Sequence, residues 1–430
     1  MVLEQITDKE SQIQSMNPPC KLAMFLASLL ALFATAVLLT SCSQAQAPSN
    51  EAPSPVERAD EQPQKVIAGS LPPHYEKVGV SEDTIDVFED GYRTHGDEGT
   101  YEWWYFDASF EDGTSLVITF YTRSMMNPDA ELSPFVTLSL TYPDGTKVEE
   151  RVSVLASEFS SSTEKCDIQL GGCSAEGDLK NYRVVFENER ISAEVTLVSN
   201  VASWRQATGY RFYGNSEEYY AAWLCVVPEG SVSATVTLDG ESRTYRGTGY
   251  HDHNWGNHPV WEMQNDWYWG RVEAGPYVAI TSSITTAEMY GFKRFPLFML
   301  AKDGVVVTDN PDGFGFEAND NTFDPDTGIP IASEVKFTCT VGDTEYRVSY
   351  FLRKTILATS MMPALSESQQ QQAKEAGNLM MYYRFVGDAT IEVYEGGELI
   401  DKQATDNALW ELMYPGVIRW AEDGTGAEQS

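Results

Sequence analysis

Apolar and polar residues alternate along several stretches of the chain. In residues 191–197 and again in residues 232–238, every second side chain is apolar. This period of two is typical of a β-strand with one buried face and one solvated face. Turn-forming dipeptides recur between such stretches, at Asp112-Gly113, Asp144-Gly145, Asp239-Gly240, Asp303-Gly304, Gly342-Asp343 and Gly396-Gly397. Dipeptides of this kind join neighbouring antiparallel strands, so the pattern predicts a succession of β-hairpins.

A helical pattern is confined to one longer segment, residues 367–380, and strands do not alternate with helices. The sequence therefore predicts an all-β fold of antiparallel strands, arranged as two barrels or sandwiches with aromatic cores. We place an N-terminal β-domain at residues 85–272 and a C-terminal β-domain at residues 273–425.

An uncharged apolar run occupies residues 22–39, between Lys21 and the tetrapeptide Leu39-Thr40-Ser41-Cys42. A charged flank, an apolar run and small residues at its end are typical of a secretion signal. The tetrapeptide resembles a bacterial lipobox, whose cysteine is acylated after cleavage. We therefore predict a lipoprotein signal peptide at residues 1–42 with Cys42 as the lipidated residue. Because the run is about long enough to span a bilayer, a transmembrane anchor is the alternative.

The segment after Cys42 is rich in proline, alanine and glutamine, and it has no aromatic residue up to position 73. Such a composition buries too little apolar surface to offset the entropy of ordering the chain. We predict a flexible tether at residues 43–84. The protein is then an exported lipoprotein on the periplasmic or cell-surface side of a membrane.

The overall charge limits the possible partners. The chain has 64 acidic and 29 basic side chains, which gives a formal net charge of −35 at pH 7. A nucleic acid would be repelled by this surface, and no basic stripe offsets the repulsion locally. Nucleic acid is therefore excluded as a partner.

Four cysteines follow the tether. In an oxidising compartment Cys166 and Cys173 could form a disulfide across the Gly-Gly turn between them. Alternatively, these two cysteines are free and buried, as are Cys225 and Cys339, because no metal-type spacing such as C-x-x-C is present.

Two aromatic-rich motifs differ from the rest of the chain. The first is residues 101–107, and the second is residues 247–258 followed by residues 266–271. In a strand, one face of the second motif carries His251, His253 and Trp255, and the other carries Tyr250, Asp252 and Asn254. Aromatic residues occupy both faces of each strand. We therefore predict that these strands are buried on both sides, against a barrel lumen and against a domain interface.

Several chemistries are open to these residues. Burial raises the pKa of a carboxyl and lowers that of an imidazole, so desolvated groups here are candidates for acid–base work. His251, His253 and His258 could instead bind zinc, as in a metal-dependent hydrolase, but aromatic crowding and the lack of further ligands favour no metal. In a purely structural alternative, the histidines satisfy polar groups of the core, and Glu102 and Asp107 pair with Arg123 or Arg271.

The motifs EWWYFDA, GYHDHNWGN and DWYWGR together resemble the lipocalin-like superfamily. This superfamily includes carotenoid 1,2-hydratase (hydroxyneurosporene synthase), the AttH-type proteins and the fungal Diels–Alderases. The resemblance covers roughly residues 85–425. It implies two lipocalin-like antiparallel β-barrel domains packed together, an apolar pocket near their junction, and chemistry without a metal or organic cofactor. The hydratases have a Tyr-x-Asp pair downstream of the His-x-Trp motif, whereas this chain has none after Trp255.

The resemblance implies a reaction or a ligand of hydrophobic character. If the chain is an enzyme, we expect a hydro-lyase that adds water to an isoprenoid double bond, with a pericyclase as an alternative. A non-enzymatic carrier of a lipid, isoprenoid, carotenoid or polyene is the other alternative. In the hydratase interpretation, Asp252 or Glu102 donates the proton and His253 positions or deprotonates water. Aromatic side chains then stabilise the cation and bind the substrate, namely Trp103, Trp104, Tyr105, Trp255, Trp267 and Trp269.

Overall fold

The computed structural model describes residues 62–419. The predicted signal peptide with Cys42 and the first part of the predicted tether lie outside the described residues, as do residues 420–430. Among the helices of residues 62–419, none is both long enough and apolar enough to cross a membrane.

A curled sheet of thirteen antiparallel strands forms the first half of the described chain. Its strands are β1 (Val66–Ala68), β2 (Tyr101–Phe110), β3 (Ser115–Tyr121), β4 (Phe135–Thr141), β5 (Lys147–Ser153), β6 (Phe159–Ser161), β7 (Asp167–Leu170), β8 (Cys173–Gly177), β9 (Asn181–Glu187), β10 (Ile191–Ser199), β11 (Tyr210–Tyr213), β12 (Tyr219–Leu238) and β13 (Glu241–Gly256). The main path runs β5-β4-β3-β2-β13-β12-β10-β9-β8-β7-β6, so β13 closes back onto β2 from far along the chain.

A second antiparallel sheet of nine strands follows. Its strands are β14 (Gln264–Ala274), β15 (Tyr277–Thr286), β16 (Arg294–Lys302), β17 (Val305–Thr308), β18 (Phe314–Asn319), β21 (Glu334–Val341), β22 (Thr344–Ser360), β23 (Met381–Glu395) and β24 (Glu398–Tyr414). Between β18 and β21, β19 (Thr322–Phe323) and β20 (Pro330–Ile331) pair with each other. The sheet order is β17-β16-β15-β14-β24-β23-β22-β21-β18. The chain changes sheets between Gly256 and Gln264, whereas the domain boundary predicted at residues 272–273 stays a prediction.

Helices are short and few in the described residues. They are α1 (Pro72–Val78), α2 (Val260–Met263) and α3 (Glu367–Ala376), with 3-10 turns at Val87–Asp90, Ala156–Glu158, Glu288–Tyr290, Pro311–Gly313 and Met362–Ala364. The helix predicted at residues 367–380 is confirmed as α3, although it ends at Ala376, four residues earlier than predicted. Ser366 caps its first turn, and Gly377 ends it with a left-handed backbone (φ 77°). The all-β fold class of antiparallel strands is also confirmed.

Two large apolar clusters fill the two sheets, and a third lies at the contact between them. One fills the concave side of the first sheet, with Trp104 and Phe120 among its members, and one fills the second sheet around Trp410. A third joins residues of both sheets, including Tyr250 from β13 and Ile280 from β15. The strands at this contact are therefore buried on two sides, as the aromatic motifs predicted.

Part of the predicted tether differs from the expectation. Residues 62–84 contain β1 and α1, and β1 pairs with β11 so that Val66 lies opposite Tyr213. Both side chains are buried. The composition of the proline-rich segment does not reveal this pairing, because a three-residue strand takes its stability from the sheet edge that it joins.

All four cysteines of the described region are free and buried. Burial raises the pKa of the Cys166 thiol, and burial likewise raises that of Cys225. The alternative of free, buried cysteines therefore describes the structure, and Cys166 and Cys173 form no disulfide in it.

A buried ion pair connects the segment that precedes β2 to the loop between β10 and β11. Arg205 donates from Nε to Oε2 of Glu89 at 2.6 Å and from Nη2 to Oε1 at 3.2 Å. Both side chains are only 4% exposed. Nη2 of Arg205 also donates to the carbonyl oxygens of Ser81 and Thr84. One guanidinium thus holds residues 81–89 against the loop before β11.

Replacing this arginine should destabilise the fold strongly. Arg205→Ala leaves the buried Glu89 carboxyl without its partner, so we expect a loss of about 3–5 kcal/mol in the free energy of unfolding. Urea denaturation followed by tryptophan fluorescence measures this loss. Arg183→Ala is the matched control, because Arg183 and its partner Glu194 are 55% and 57% exposed. Equal stability losses for the two variants would contradict the prediction.

Candidate functional site

Strands β2 and β13 bring the two aromatic motifs side by side. Their antiparallel register places His253 opposite Trp104 and Asp252 opposite Tyr105. Side chains alternate between the two faces of a sheet. His253 and Trp104 therefore point into the core of the first sheet, whereas Asp252 and Tyr105 point toward the second sheet.

On the core face, Glu102 and His253 form a buried pair. Nε2 of His253 lies 2.8 Å from Oε1 of Glu102, and both side chains are inaccessible to solvent. The Glu102 carboxyl also accepts the backbone N–H groups of Arg93 and Thr94 and the Thr94 hydroxyl. The Trp104 ring stacks on the imidazole with centroids 4.6 Å apart. Glu102 thus has its acceptor sites occupied by the protein.

A second buried cluster lies beside this pair. Nε2 of His251 is 3.2 Å from Oδ2 of Asp90, which also accepts the Tyr182 hydroxyl at 2.6 Å. Asp90, Cys166 and His251 have potential ligand atoms within 4.8 Å of one another, the one such set of three found in residues 62–419. Their hydrogen bonds within the core support the structural alternative for the histidines.

His258 lies apart from His251 and His253, and it does not belong to the set of Asp90, Cys166 and His251. Its Nε2 lies 3.0 Å from Glu262, and its ring stacks on Tyr219. The three-imidazole zinc site considered from the sequence is therefore not assembled among the described residues.

The other face of β2 and β13 borders a cavity of about 200 Å³ between the two sheets. Aromatic rings from both sheets form most of its wall, namely Tyr101, Trp103, Tyr105, Tyr210, Trp223, Trp267 and Trp269. Polar side chains are interspersed among them, namely Gln206, Arg211, Asp252, Asn254, Gln264, Ser282 and Glu411. A mostly apolar wall with a few polar groups is typical of a small-molecule site.

Asp252 is the acidic group that the first sheet contributes to this cavity. Its side chain accepts hydrogen bonds from the Trp223 indole (3.0 Å), the Tyr250 hydroxyl (2.9 Å) and the Asn254 amide (2.8 Å). Burial raises its pKa to about 6, although these three donors and His251 act in the opposite direction. A carboxyl with this pKa exchanges protons readily near neutral pH.

Charged groups from both sheets meet behind the cavity. Arg271 of β14 donates to Asp107 of β2 at 2.8 Å, with both side chains at most 10% exposed. This contact is the one anticipated for Asp107, whereas Arg123 donates to backbone carbonyl groups instead. Arg384 of β23 donates to the Tyr105 hydroxyl at 3.2 Å. The contact between the sheets therefore contains charged as well as apolar side chains.

The residues singled out in the sequence divide between the two faces. Asp252, Trp103, Tyr105, Trp267 and Trp269 line the cavity. Glu102, His253 and Trp104 lie on the core face, as does Trp255, whose indole donates to the hydroxyl of the cavity residue Tyr210. The roles predicted for these residues stay predictions.

Sequence reasoning missed Glu411 and Trp223. Glu411 is the single charged residue in the apolar segment 408–414, and a lone charge in such a strand is an available signal. Trp223 carries no such signal, because its contact with Asp252 depends on the pairing of β12 with β13.

The position of Glu102 leads to a testable distinction between a core role and a cavity role. In Glu102→Gln, an amide N–H₂ group replaces one oxygen of the carboxylate, whose two oxygens accept hydrogen bonds from Arg93 and Thr94. A donor then faces donors, so we expect a loss of about 2–3 kcal/mol in the free energy of unfolding. Urea denaturation checks this loss. Because Glu102 does not line the cavity, Nile red should bind with unchanged affinity below the unfolding transition. Glu194→Gln, at an exposed position, is the control; weakened dye binding without destabilisation would contradict the core assignment.

Comparisons with known proteins agree with the motifs. The sequence profile of the Diels-Alderase-like family matches residues 95–323. A quinolone epoxide rearrangement protein of Penicillium thymicola is 28% identical over 237 residues, which cover 50% of this chain and 63% of that protein. A hydroxyneurosporene dehydrogenase of Chlorobaculum tepidum is 24% identical over 226 residues, 44% of this chain and 58% of that protein. The chain thus matches less than two thirds of the length of either relative.

Among solved structures, an AttH protein of Nitrosomonas europaea is 15% identical and covers 73% of this chain and 92% of its own, with a TM-score of 0.49. The family profile itself extends over more than half of the chain and includes both aromatic motifs. The chain belongs to the Diels-Alderase-like family.

Proposed function

We propose that the protein is a cofactor-independent catalyst that transfers protons to and from a hydrophobic small molecule held between the two sheets. The observation that carries this proposal is Asp252, a buried carboxyl with a pKa of about 6 in a wall of tryptophan and tyrosine rings. A ligand that fills the cavity removes water from Asp252. Further desolvation raises the pKa again, so the carboxyl becomes a proton donor in the complex.

The aromatic wall suits the charge that such a proton transfer creates. Protonation of a double bond or of an epoxide oxygen leaves positive charge on carbon. The faces of aromatic rings attract cations, and Trp103, Trp267 and Trp269 supply such faces around the cavity. The same wall excludes bulk water, which strengthens the electrostatic effect of the neighbouring carboxyls.

Two reaction types fit this geometry. One is the addition of water to an isoprenoid double bond, the hydro-lyase reaction expected from the motifs. The other is the proton-triggered rearrangement of an epoxide, the type of reaction named for the relative in Penicillium thymicola. Both begin with a proton from Asp252.

Arg211 and Gln264 at the cavity wall would bind an oxygen of the substrate, because Nε of Arg211 is buried without a hydrogen-bond partner.

Removing the carboxyl tests the proposal. We expect Asp252→Asn to lower kcat by about 10²–10⁴-fold, because an amide cannot donate the proton. The assays use lycopene in oxygen-18 water and a quinolone epoxide, with products identified by mass spectrometry. For the wild type, kcat/KM should fall as the pH rises through about 6, since the protonated form of Asp252 is lost above its pKa.

Two further variants sharpen this test. Trp223→Phe keeps an aromatic side chain but removes the indole N–H, whose hydrogen bond lowers the pKa of Asp252. The pH at which kcat/KM falls should therefore be higher in this variant. Asp239→Asn, at an exposed turn, should behave as the wild type. Turnover by Asp252→Asn at the wild-type rate would overturn the proposal, as would wild-type protein that binds both compounds and converts neither. That last result would favour a carrier.

We also propose that the chain is an exported lipoprotein anchored through Cys42. The support is the apolar run that ends in Leu39-Thr40-Ser41-Cys42. After expression in Escherichia coli, Cys42→Ser should abolish labelling by an alkyne-tagged palmitate, because serine lacks the thiol that is acylated. Cys173→Ser is the matched control. Undiminished labelling of Cys42→Ser would contradict the lipidation.

A further inference from the structure

Glu411 faces the same cavity as Asp252 from the opposite sheet. It lies on β24, where Trp269 of β14 and Arg384 of β23 are its cross-strand neighbours. Its side chain is partly accessible, and the exposed part borders the cavity. Among the described residues that line this cavity, the carboxyl groups are those of Asp252 and Glu411. One acid therefore comes from each sheet.

The surroundings of Glu411 distinguish it from Asp252. The Tyr382 hydroxyl donates to Oε2 of Glu411 at 2.5 Å. Burial raises the pKa of Glu411, the nearby Arg384 and the Tyr382 hydroxyl lower it, and Asp252 and Asp107 raise it further. Asp252 has three donors instead and no arginine among its hydrogen-bond partners. Two acids that influence each other in one cavity do not both ionise easily, so one tends to hold a proton while the other is free to accept one.

The groups of the cavity other than these carboxyls are poor proton acceptors. Burial raises the pKa of Tyr101 and Tyr105 well above the usual value. Tyr210 behaves in the same way, with a pKa raised to about 12. Arg211 offers only donors. His251 and His253 face the core of the first sheet, and His258 pairs with Glu262, so none of the three lines the cavity.

We propose that Glu411 is the second catalytic carboxyl of this site and, after Asp252 has supplied one proton, removes another from the substrate or from the water added to it. This proposal rests on the proposed function. It extends that function from a single acid to an acid–base pair whose members belong to different sheets. It also defines a substrate class: an apolar molecule with a proton-accepting double bond or epoxide oxygen and, on the side facing the second sheet, either a removable proton or room for the water that supplies one.

The two proton transfers balance without any redox partner. For an epoxide, the O–H bond of Asp252 breaks, its proton joins the epoxide oxygen, and one C–O bond breaks with its electron pair remaining on oxygen. Glu411 then takes a proton from the adjacent carbon, and the electron pair of that C–H bond forms a C=C bond. For hydration, the proton adds to carbon, water bonds to the cation, and Glu411 takes a proton from that water. Exchange with solvent returns Asp252 to its acid form and Glu411 to its base form.

Glu411→Gln tests the pair with two readouts. With whichever of lycopene or quinolone epoxide the wild type converts, we expect kcat to fall at least about 100-fold while KM changes less than about threefold, because the amide keeps the shape but accepts no proton. The double variant Asp252→Asn/Glu411→Gln should be no slower than the slower single variant, since both residues serve one reaction sequence. Glu398→Gln, exposed at the start of the same strand, should match the wild type.

The second readout does not need a substrate. In protein labelled with carbon-13 at aspartate carboxyls, the Asp252 signal is assigned by its loss in Asp252→Asn. Asp252 raises the pKa of Glu411 through the interaction of their charges, and this interaction is mutual, so in Glu411→Gln the pKa of Asp252 should fall. An unchanged titration of Asp252 would overturn the pairing whatever the activity.

The outcomes separate this proposal from the proposed function. If the wild type is active, Asp252→Asn is inactive and Glu411→Gln is fully active, the single-acid mechanism stands and the pair is rejected. If the wild type converts neither compound, the proposed function is rejected and the catalytic role of Glu411 is rejected with it. Loss of activity by Glu411→Gln with unchanged unfolding free energy and a shifted Asp252 titration supports the pair.

Discussion

The pairing of β2 with β13 is the constraint on which the rest of the structure depends. The paired segments, residues 101–110 and 247–256, are covered on both faces, one by the core of the first sheet and one by the second sheet. Every polar side chain on them must therefore find a partner inside the protein, because an unpaired buried polar group is costly. On the core face Nε2 of His253 pairs with Glu102. On the other face Asp252 finds three donors and still borders open space.

The second sheet completes the site through a mixture of apolar and charged contacts. Rings such as Trp269 pack against Tyr250, and Arg271 reaches across to Asp107. A buried ion pair is sensitive to geometry, since its desolvation cost is offset only when the charges stay close. The Arg271–Asp107 contact thus fixes the distance between the sheets near the cavity. The wall of the site is consequently made of strands, which are more rigid than loops.

Much of the fold can be predicted from local patterns. Alternation and turn dipeptides indicate an antiparallel all-β chain, and the polar residues 367–376 indicate the helix α3. The two faces of the aromatic motifs also follow from period two, including the separation of Asp252 from His253. Sequence alone does not say which face meets open space. The sequence predicts that the two aromatic motifs lie close together. Only the three-dimensional structure shows that Arg93 and Thr94 enclose the carboxyl of Glu102.

The features that escaped prediction depend on contacts between distant parts of the chain. Glu411 is marked in the sequence as a lone charge, but only the pairing of β24 with β14 places it at the cavity. The strand Val66–Ala68 is similar, since its hydrogen bonds come from β11, more than a hundred residues later. Such pairings have long sequence separation and leave little local trace. Hydrophobic periodicity therefore predicts strands better than it predicts their neighbours.

The alternation of side chains along β2 has a consequence for how this protein could diversify. Trp103 and Tyr105 touch the ligand space, whereas Glu102, Trp104 and Phe106 support the core. Substituting the first set reshapes the wall while the second set preserves the scaffold. Along this strand, the residues that would select the substrate alternate with the residues that stabilise the core. Selection can act on one set without disturbing the other, which suits a scaffold that relatives use for differently named reactions.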